Sequence, residues 1–170
     1  MIWLIITIAV ILLYLFALAP RLSRRDAMRA FSGTMFAHRG YHCKERGIPE
    51  NSMKAFRAAI ARGYGIELDL HLTKDGRLAV FHDDTLERMC KRTETVEELT
   101  SLELSSCTLL DTDETIPMFE DVLTLVRGRV PLLIELKIPT ASLQICEEVL
   151  RQMRNYQGPF LIQSFNTMGL

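Results

Sequence analysis

Two apolar stretches of this 170-residue chain carry charges at alternate positions: Glu67 and Asp69 in residues 66–72, and Glu135 and Lys137 in residues 132–137. Read as strands, their period of two puts Glu67, Asp69 and His71 on one face and Ile66, Leu68, Leu70 and Leu72 on the other. Glu135 and Lys137 likewise oppose Leu132, Ile134 and Leu136. A parallel strand covered by helices has no solvated face, so these charges point into a protein interior. An unpaired charge there costs several kcal/mol, so each needs a metal, a counter-charge or a wet pocket. Three carboxylates from two strands suit a hard divalent cation, Mg²⁺ or Ca²⁺. His38 and His82 end two further strand-like runs, and two histidines beside a carboxylate-bound cation suit general acid–base hydrolysis. Arg39 and Lys137 add positive charge for an anionic substrate. The set points to phosphoryl rather than acyl chemistry.

Strand-like and helix-like stretches alternate from Phe36 onward. Strands are expected at 36–40, 66–73, 78–83, 131–137 and 159–165, with helices at 52–62, 96–104, 118–127 and 141–155. Asn51 is the expected N-cap of the first of these helices. Lys74, Asp75 and Gly76 form a turn. The alternation predicts an α/β domain with a parallel sheet, in which catalytic groups stand at strand ends. The remaining polar residues read as structural. His42 belongs to a loop, His71 to the rim, and Asp83 and Asp84 to a turn or cap. Asp111, Asp113 and Glu114 lack the glycine and terminal glutamate of a calcium loop and read as solvated.

The motifs AHRGY (37–41), PENS (49–52), IELDLHLTKDGRLAVFHDDTLER (66–88), IPMFEDVL (116–123), PLLIELK (131–137) and IQSF (162–165) occur in that order. Together they resemble the glycerophosphodiester phosphodiesterase family over residues 36–166. The resemblance implies a (β/α)₈ TIM barrel that hydrolyses glycerophosphodiesters to sn-glycerol 3-phosphate and an alcohol. It implies Glu67, Asp69 and Glu135 as metal ligands and His38 and His82 as the acid–base pair. Arg39 would contact the phosphate, and Glu50 would lie beside the metal and the glycerol hydroxyls. Lys137 would bind phosphate or orient carboxylates. Which histidine is acid and which is base stays open at this level.

A closed barrel of this type needs eight strands and typically about 250 residues, whereas five strands are expected here. The expectation is therefore a barrel truncated after about the fifth strand. Three origins fit: a fragment of a longer protein, a non-catalytic remnant or membrane-tethered interaction module, or a half completed by a partner, self-association included.

Residues 1–19 carry no charged side chain, and Arg21, Arg24, Arg25 and Arg29 follow. The stretch reads as a transmembrane anchor over 1–20, followed by a basic connector over 21–35 and the partial phosphodiesterase domain over 36–170. A cleaved signal peptide is the competing reading, since Ala17-Leu18-Ala19 has the A-x-A form. It lacks a positive leading region, and its apolar run is long for a signal. The arginines place the following domain in the cytoplasm by the positive-inside rule, making a single-pass protein of the cell membrane. Four scattered cysteines, with no C-x-x-C pair, read as free thiols. The formal net charge of −1 argues against a nucleic-acid partner held by bulk charge.

Overall fold

A computed structural model describes residues 2–18, 28–138 and 143–165. The chain divides into two compact units, Met1–Ser32 and Gly33–Leu170. In the first, helix α1 spans Ile2–Leu18, and its side chains from Ile2 to Phe16 are exposed. At about 1.5 Å per residue, its 17 residues extend roughly 25 Å, short of the span expected over 1–20. Among the described residues no helix is long and apolar enough to cross a membrane. Arg21, Arg24 and Arg25 lie outside the described residues.

The second unit is built on a sheet of β1 (Phe36–Ala37), β2 (Gly65–Leu72), β3 (Leu78–Val80), β4 (Leu132–Leu136) and β5 (Phe160–Gln163). The order β1-β2-β4-β5 is parallel throughout, with β3 antiparallel on β2. The helices are α2 (Met53–Ala61), α3 (Glu87–Cys90), α4 (Ser101–Ser105), α5 (Phe119–Val126) and α6 (Gln144–Met153). Ile66, Leu68, Leu70, Leu132, Ile134 and Leu136 pack with Phe56, Phe119, Val122, Ile145 and Val149 in the main core. The opposite face carries the charges, as the period of two requires. A second apolar cluster gathers Phe81, Leu86, Met89, Val96, Leu104, Leu109 and Ile116. It gives the excursion between β3 and α5 a core of its own.

Several elements differ from the sequence expectation. The 78–83 stretch is not a barrel strand: its link to β2 is a tight turn, and a parallel return needs a crossover of a dozen or more residues. The parallel path therefore has four strands among the described residues, not five. The helix expected at 96–104 is broken into a 3₁₀ turn, Val96–Glu98, and α4. Its cause is a repeated start signal, with capping boxes at Thr95/Glu98 and again at Thr100/Glu103. The N-cap of α2 is Ser52, not Asn51: Ser52 Oγ accepts from Ala55 N–H at 3.1 Å. The first strand stops at Ala37 because Arg39 and Gly40 turn the chain, with φ of 56° and 79°. A side chain at Gly40 would put its Cβ 2.8 Å from Ala55 Cβ, so the turn presses directly on α2. Residues 139–142, which include the first two of the helix expected at 141–155, lie outside the described residues. None of Cys43, Cys90, Cys107 and Cys146 forms a disulfide among the described residues.

Candidate functional site

The parallel register decides which charges meet. Asp69 on β2 pairs with Glu135 on β4, and Glu135 with Gln163 on β5, so the three stand in one cross-strand row. Glu67 stands on the same face of β2, one pleat earlier. Carboxylate oxygens of Glu67, Asp69 and Glu135 lie within 4.8 Å of one another, and all three residues are buried.

The end of β1 brings His38 and Arg39 alongside. The Arg39 backbone N–H donates to Glu67 Oε2 at 2.8 Å, and its guanidinium donates to Glu50 Oε1 at 2.9 Å and stands 3.8 Å from Asp69 Oδ2. The antiparallel hairpin supplies His82. Phe81 N–H donates to the Asp69 carbonyl at 3.1 Å, so the return of β3 carries His82 back beside the carboxylates. Lys137, just past β4, reaches Asp69 Oδ1 at 3.1 Å and Glu135 Oε1 at 2.5 Å. His38, Arg39, Glu67, His82, Glu135 and Lys137 line one cavity of about 500 Å³. The structure thus brings together the residues that the sequence singled out, with Glu50 held at the edge through Arg39.

The charge balance tests whether a cation fits. Lys137 answers Asp69 and Glu135, and Glu50 shares Arg39, leaving Glu67 with one backbone N–H. Burial, then the neighbouring Asp69 and Glu135 carboxylates, push the Glu67 carboxyl up to about 7. Three buried oxygen donors with more negative charge than their partners neutralise fit a hard divalent cation. Without a cation, the native state holds the Glu67 proton to higher pH than the unfolded chain, whose carboxyl titrates near 4.5. Between those values the native state binds more protons, so stability falls as pH rises. In chelator, the melting temperature is expected to drop between about pH 5 and pH 7, and Glu67→Gln is expected to flatten that drop. An undiminished slope in Glu67→Gln would remove Glu67 as its source.

The histidines differ in surroundings. Burial and the adjacent Arg39 charge hold His38 below its ordinary range. His82 Nδ1 stands 2.8 Å from Asp83 Oδ1, and since a carboxylate only accepts, Nδ1 carries the proton. Burial would raise the Asp83 carboxyl, but hydrogen bonds from Arg88 and His82 outweigh it and hold Asp83 at about 2. His71 is buried, with Nδ1 2.8 Å from Glu97 Oε1.

Sequence reasoning missed three contributors. Asn51 Nδ2 donates to Asp69 Oδ2 at 2.9 Å, and its φ of 50° marks a turn rather than a cap. Asp83 orients His82, and Gln163 Nε2 donates to Glu135 Oε2 at 3.3 Å. All three sit inside quoted motifs, PENS, the 66–88 stretch and IQSF, the one signal that pointed to them.

Comparison with known proteins identifies the family. Residues 38–164 match the glycerophosphoryl diester phosphodiesterase family. A glycerophosphodiester phosphodiesterase of Bacillus altitudinis is 38% identical over 144 residues, 78% of this chain and 58% of that protein. One of Caldanaerobacter subterraneus is 32% identical over 151 residues, 80% of this chain and 59% of that protein. The crystal structure of a glycerophosphodiester phosphodiesterase from Thermotoga maritima superposes with a TM-score of 0.65 at 29% identity, covering 78% of this chain and 54% of that one. The chain therefore spans somewhat over half the length of these relatives, within a TIM-barrel-like α/β fold. The match covers both strands of the carboxylate triad and both histidines, and on it the chain belongs to the glycerophosphoryl diester phosphodiesterase family.

Proposed function

We propose that the protein hydrolyses glycerophosphodiesters to sn-glycerol 3-phosphate and an alcohol, with a divalent cation, Mg²⁺ or Ca²⁺, held by Glu67, Asp69 and Glu135. The observation that carries this reading is the single cavity in which two histidines and two cationic side chains face a buried carboxylate cluster. The names of the curated relatives support the substrate class. A bound cation supplies positive charge where the phosphate oxygens gain negative charge in the transition state. Arg39 and Lys137 add to that field and orient the phosphate. His38, kept neutral by burial and Arg39, accepts a proton from the attacking hydroxyl, whether of water or of the substrate. His82, its Nδ1–H held by Asp83, acts in its doubly protonated form: it gives its Nε2 proton to the departing alkoxide and is left as the Nδ1–H tautomer. In net terms the phosphorus–alkoxide bond breaks, a water oxygen joins phosphorus, and the alcohol leaves with a proton. Glu50, tied to Arg39, borders the glycerol hydroxyls.

The reading extends to location. The uncharged, exposed side chains of α1 support a single-pass tether to the cell membrane, with the basic residues after it on the cytoplasmic side. The 17 described residues of the helix fall short of a crossing by themselves, and the tether rests on the uncharged sequence, which runs over residues 1–19.

One experiment addresses both statements. Membranes from cells making the full chain are washed in alkaline carbonate, solubilised, and assayed for glycerol 3-phosphate release from glycerophosphocholine. The expected result is carbonate-resistant protein whose activity needs Mg²⁺ or Ca²⁺ and is lost in chelator. Folded protein that releases no glycerol 3-phosphate from any glycerophosphodiester would sink the proposed reaction. Release of the protein by carbonate would sink the tether.

A further inference from the structure

Arg88 has no part in the chemistry above, yet it grips two residues of the site at once. Its Nη2 and Nη1 donate to Glu50 Oε1 and Oε2 at 2.6 and 3.2 Å. Its Nε and Nη2 donate to Asp83 Oδ2 and Oδ1 at 2.6 and 2.9 Å. Both contacts are forked, a geometry that a planar guanidinium satisfies and an ammonium does not. An isolated surface ion pair contributes little, whereas paired forks within a charge network are the exception. The network continues from each carboxylate. Asp83 accepts from His82 Nδ1, and Glu50 accepts from Arg39, whose backbone N–H holds Glu67.

The support for Arg88 comes from outside the sheet. It lies on α3 between Leu86 and Met89, both buried in the second apolar cluster. The Met89 carbonyl also accepts from Leu110 N–H at 2.7 Å. The backbone of Arg88 is therefore fixed by the excursion between β3 and α5, while its head group reaches the site.

We propose that Arg88 is a positioning residue, clamping Asp83 and Glu50 so that the His82 imidazole and the Arg39 loop hold a fixed relation. The inference rests on the assignment of His82 to proton transfer. Asp83 makes three hydrogen bonds, two of them to Arg88. Without Arg88 its carboxylate turns freely, and the imidazole loses the partner that holds its Nδ1–H and aims Nε2 at the cavity.

The test uses the full chain with Arg88→Gln, Arg88→Lys, Asp83→Asn and the Arg88→Gln/Asp83→Asn double variant. Nitrogen–proton spectra of the histidine side chains report the His82 tautomer, with His82 assigned by its absence in His82→Gln. At a pH where the ring is neutral, wild type is expected to show the Nδ1–H form, Arg88→Gln a mixture, and Arg88→Lys an intermediate state. Turnover in Arg88→Gln is expected to fall about 10- to 100-fold, the usual effect of removing a residue that orients a site group. KM should change by less than about 3-fold, since substrate contacts remain. The double variant should fall no further than the worse single one, because both act through one chain of contacts. A His82 spectrum unmoved by Arg88→Gln, or additive losses in the double variant, would overturn the clamp. If Arg88→Gln fails to fold, Arg88→Lys carries both readouts. If wild type releases no glycerol 3-phosphate, that failure belongs to the proposed reaction, and the His82 spectrum alone decides the clamp.

Discussion

Asp69→Asn is expected to lower turnover by about 1,000-fold, equivalent to roughly 4 kcal/mol of transition-state stabilisation. Asp69 ties the cluster together: it touches Asn51 and Lys137, is the register partner of Glu135, and shares a strand face with Glu67. The substitution keeps the volume and removes the charge. An amide at that point either turns its N–H₂ toward the Lys137 ammonium or loses the Asn51 bond. In either case the remaining two carboxylates make a poorer cage for a hard cation. The checks are steady-state kinetics and calorimetric titration of Mg²⁺ and Ca²⁺ into cation-free protein. Both signals should weaken together. Activity lost with cation affinity intact would assign Asp69 to another task, and full activity would remove the metal site from the mechanism.

His38→Ala is expected to separate binding from chemistry. Cation affinity should stay near the wild-type value, because the carboxylate cluster is intact, while turnover falls by about 10²- to 10⁴-fold, the range for a general base. The pH profile supplies a further sign. Burial and Arg39 hold the His38 imidazole below its ordinary range, so only acid below neutrality protonates it. The rate should then decline as pH falls through that lowered value, a limb absent from the residual activity of His38→Ala. Added imidazole should restore part of the rate by filling the space left. Unchanged turnover in His38→Ala would end its role in proton transfer.

The carboxylate face was legible because period two is a local property: the side-chain alternation in β2 and β4 needs no knowledge of the neighbouring strand. What failed was what depends on the partner. The continuous apolar run Leu78–Val80 reads the same in either strand direction, and only the brevity of the turn before it separates a hairpin from a crossover. The helix expected at 96–104 shows two signals in conflict. Its apolar spacing suits one helix, while the Thr100 box starts a second within it, and the cap won. Asn51 and Ser52 both suit an N-cap, and the choice between them was made by Asp69, far along the chain, which drew Asn51 away. Asp83 read as a turn residue because its partners His82 and Arg88 are side chains, invisible to backbone signals. Arg88 closes the quoted 66–88 motif, but no spacing in the sequence pairs it with Glu50, 38 residues away.

The pairing of Asp69 with Glu135 has a kinetic meaning as well. The two residues border the whole stretch that contains β3, the excursion and α5, so the site cannot assemble until β4 docks on β2. A long flexible segment would make that closure slow, since its ends must find each other against the entropy of everything between them. Here the intervening chain condenses on its own apolar cluster, which shortens the effective loop to the few links between folded pieces. Arg88 belongs to that separately packed piece, so the guanidinium that grips Glu50 and Asp83 has a backbone support that does not depend on the pairing of β2 with β4.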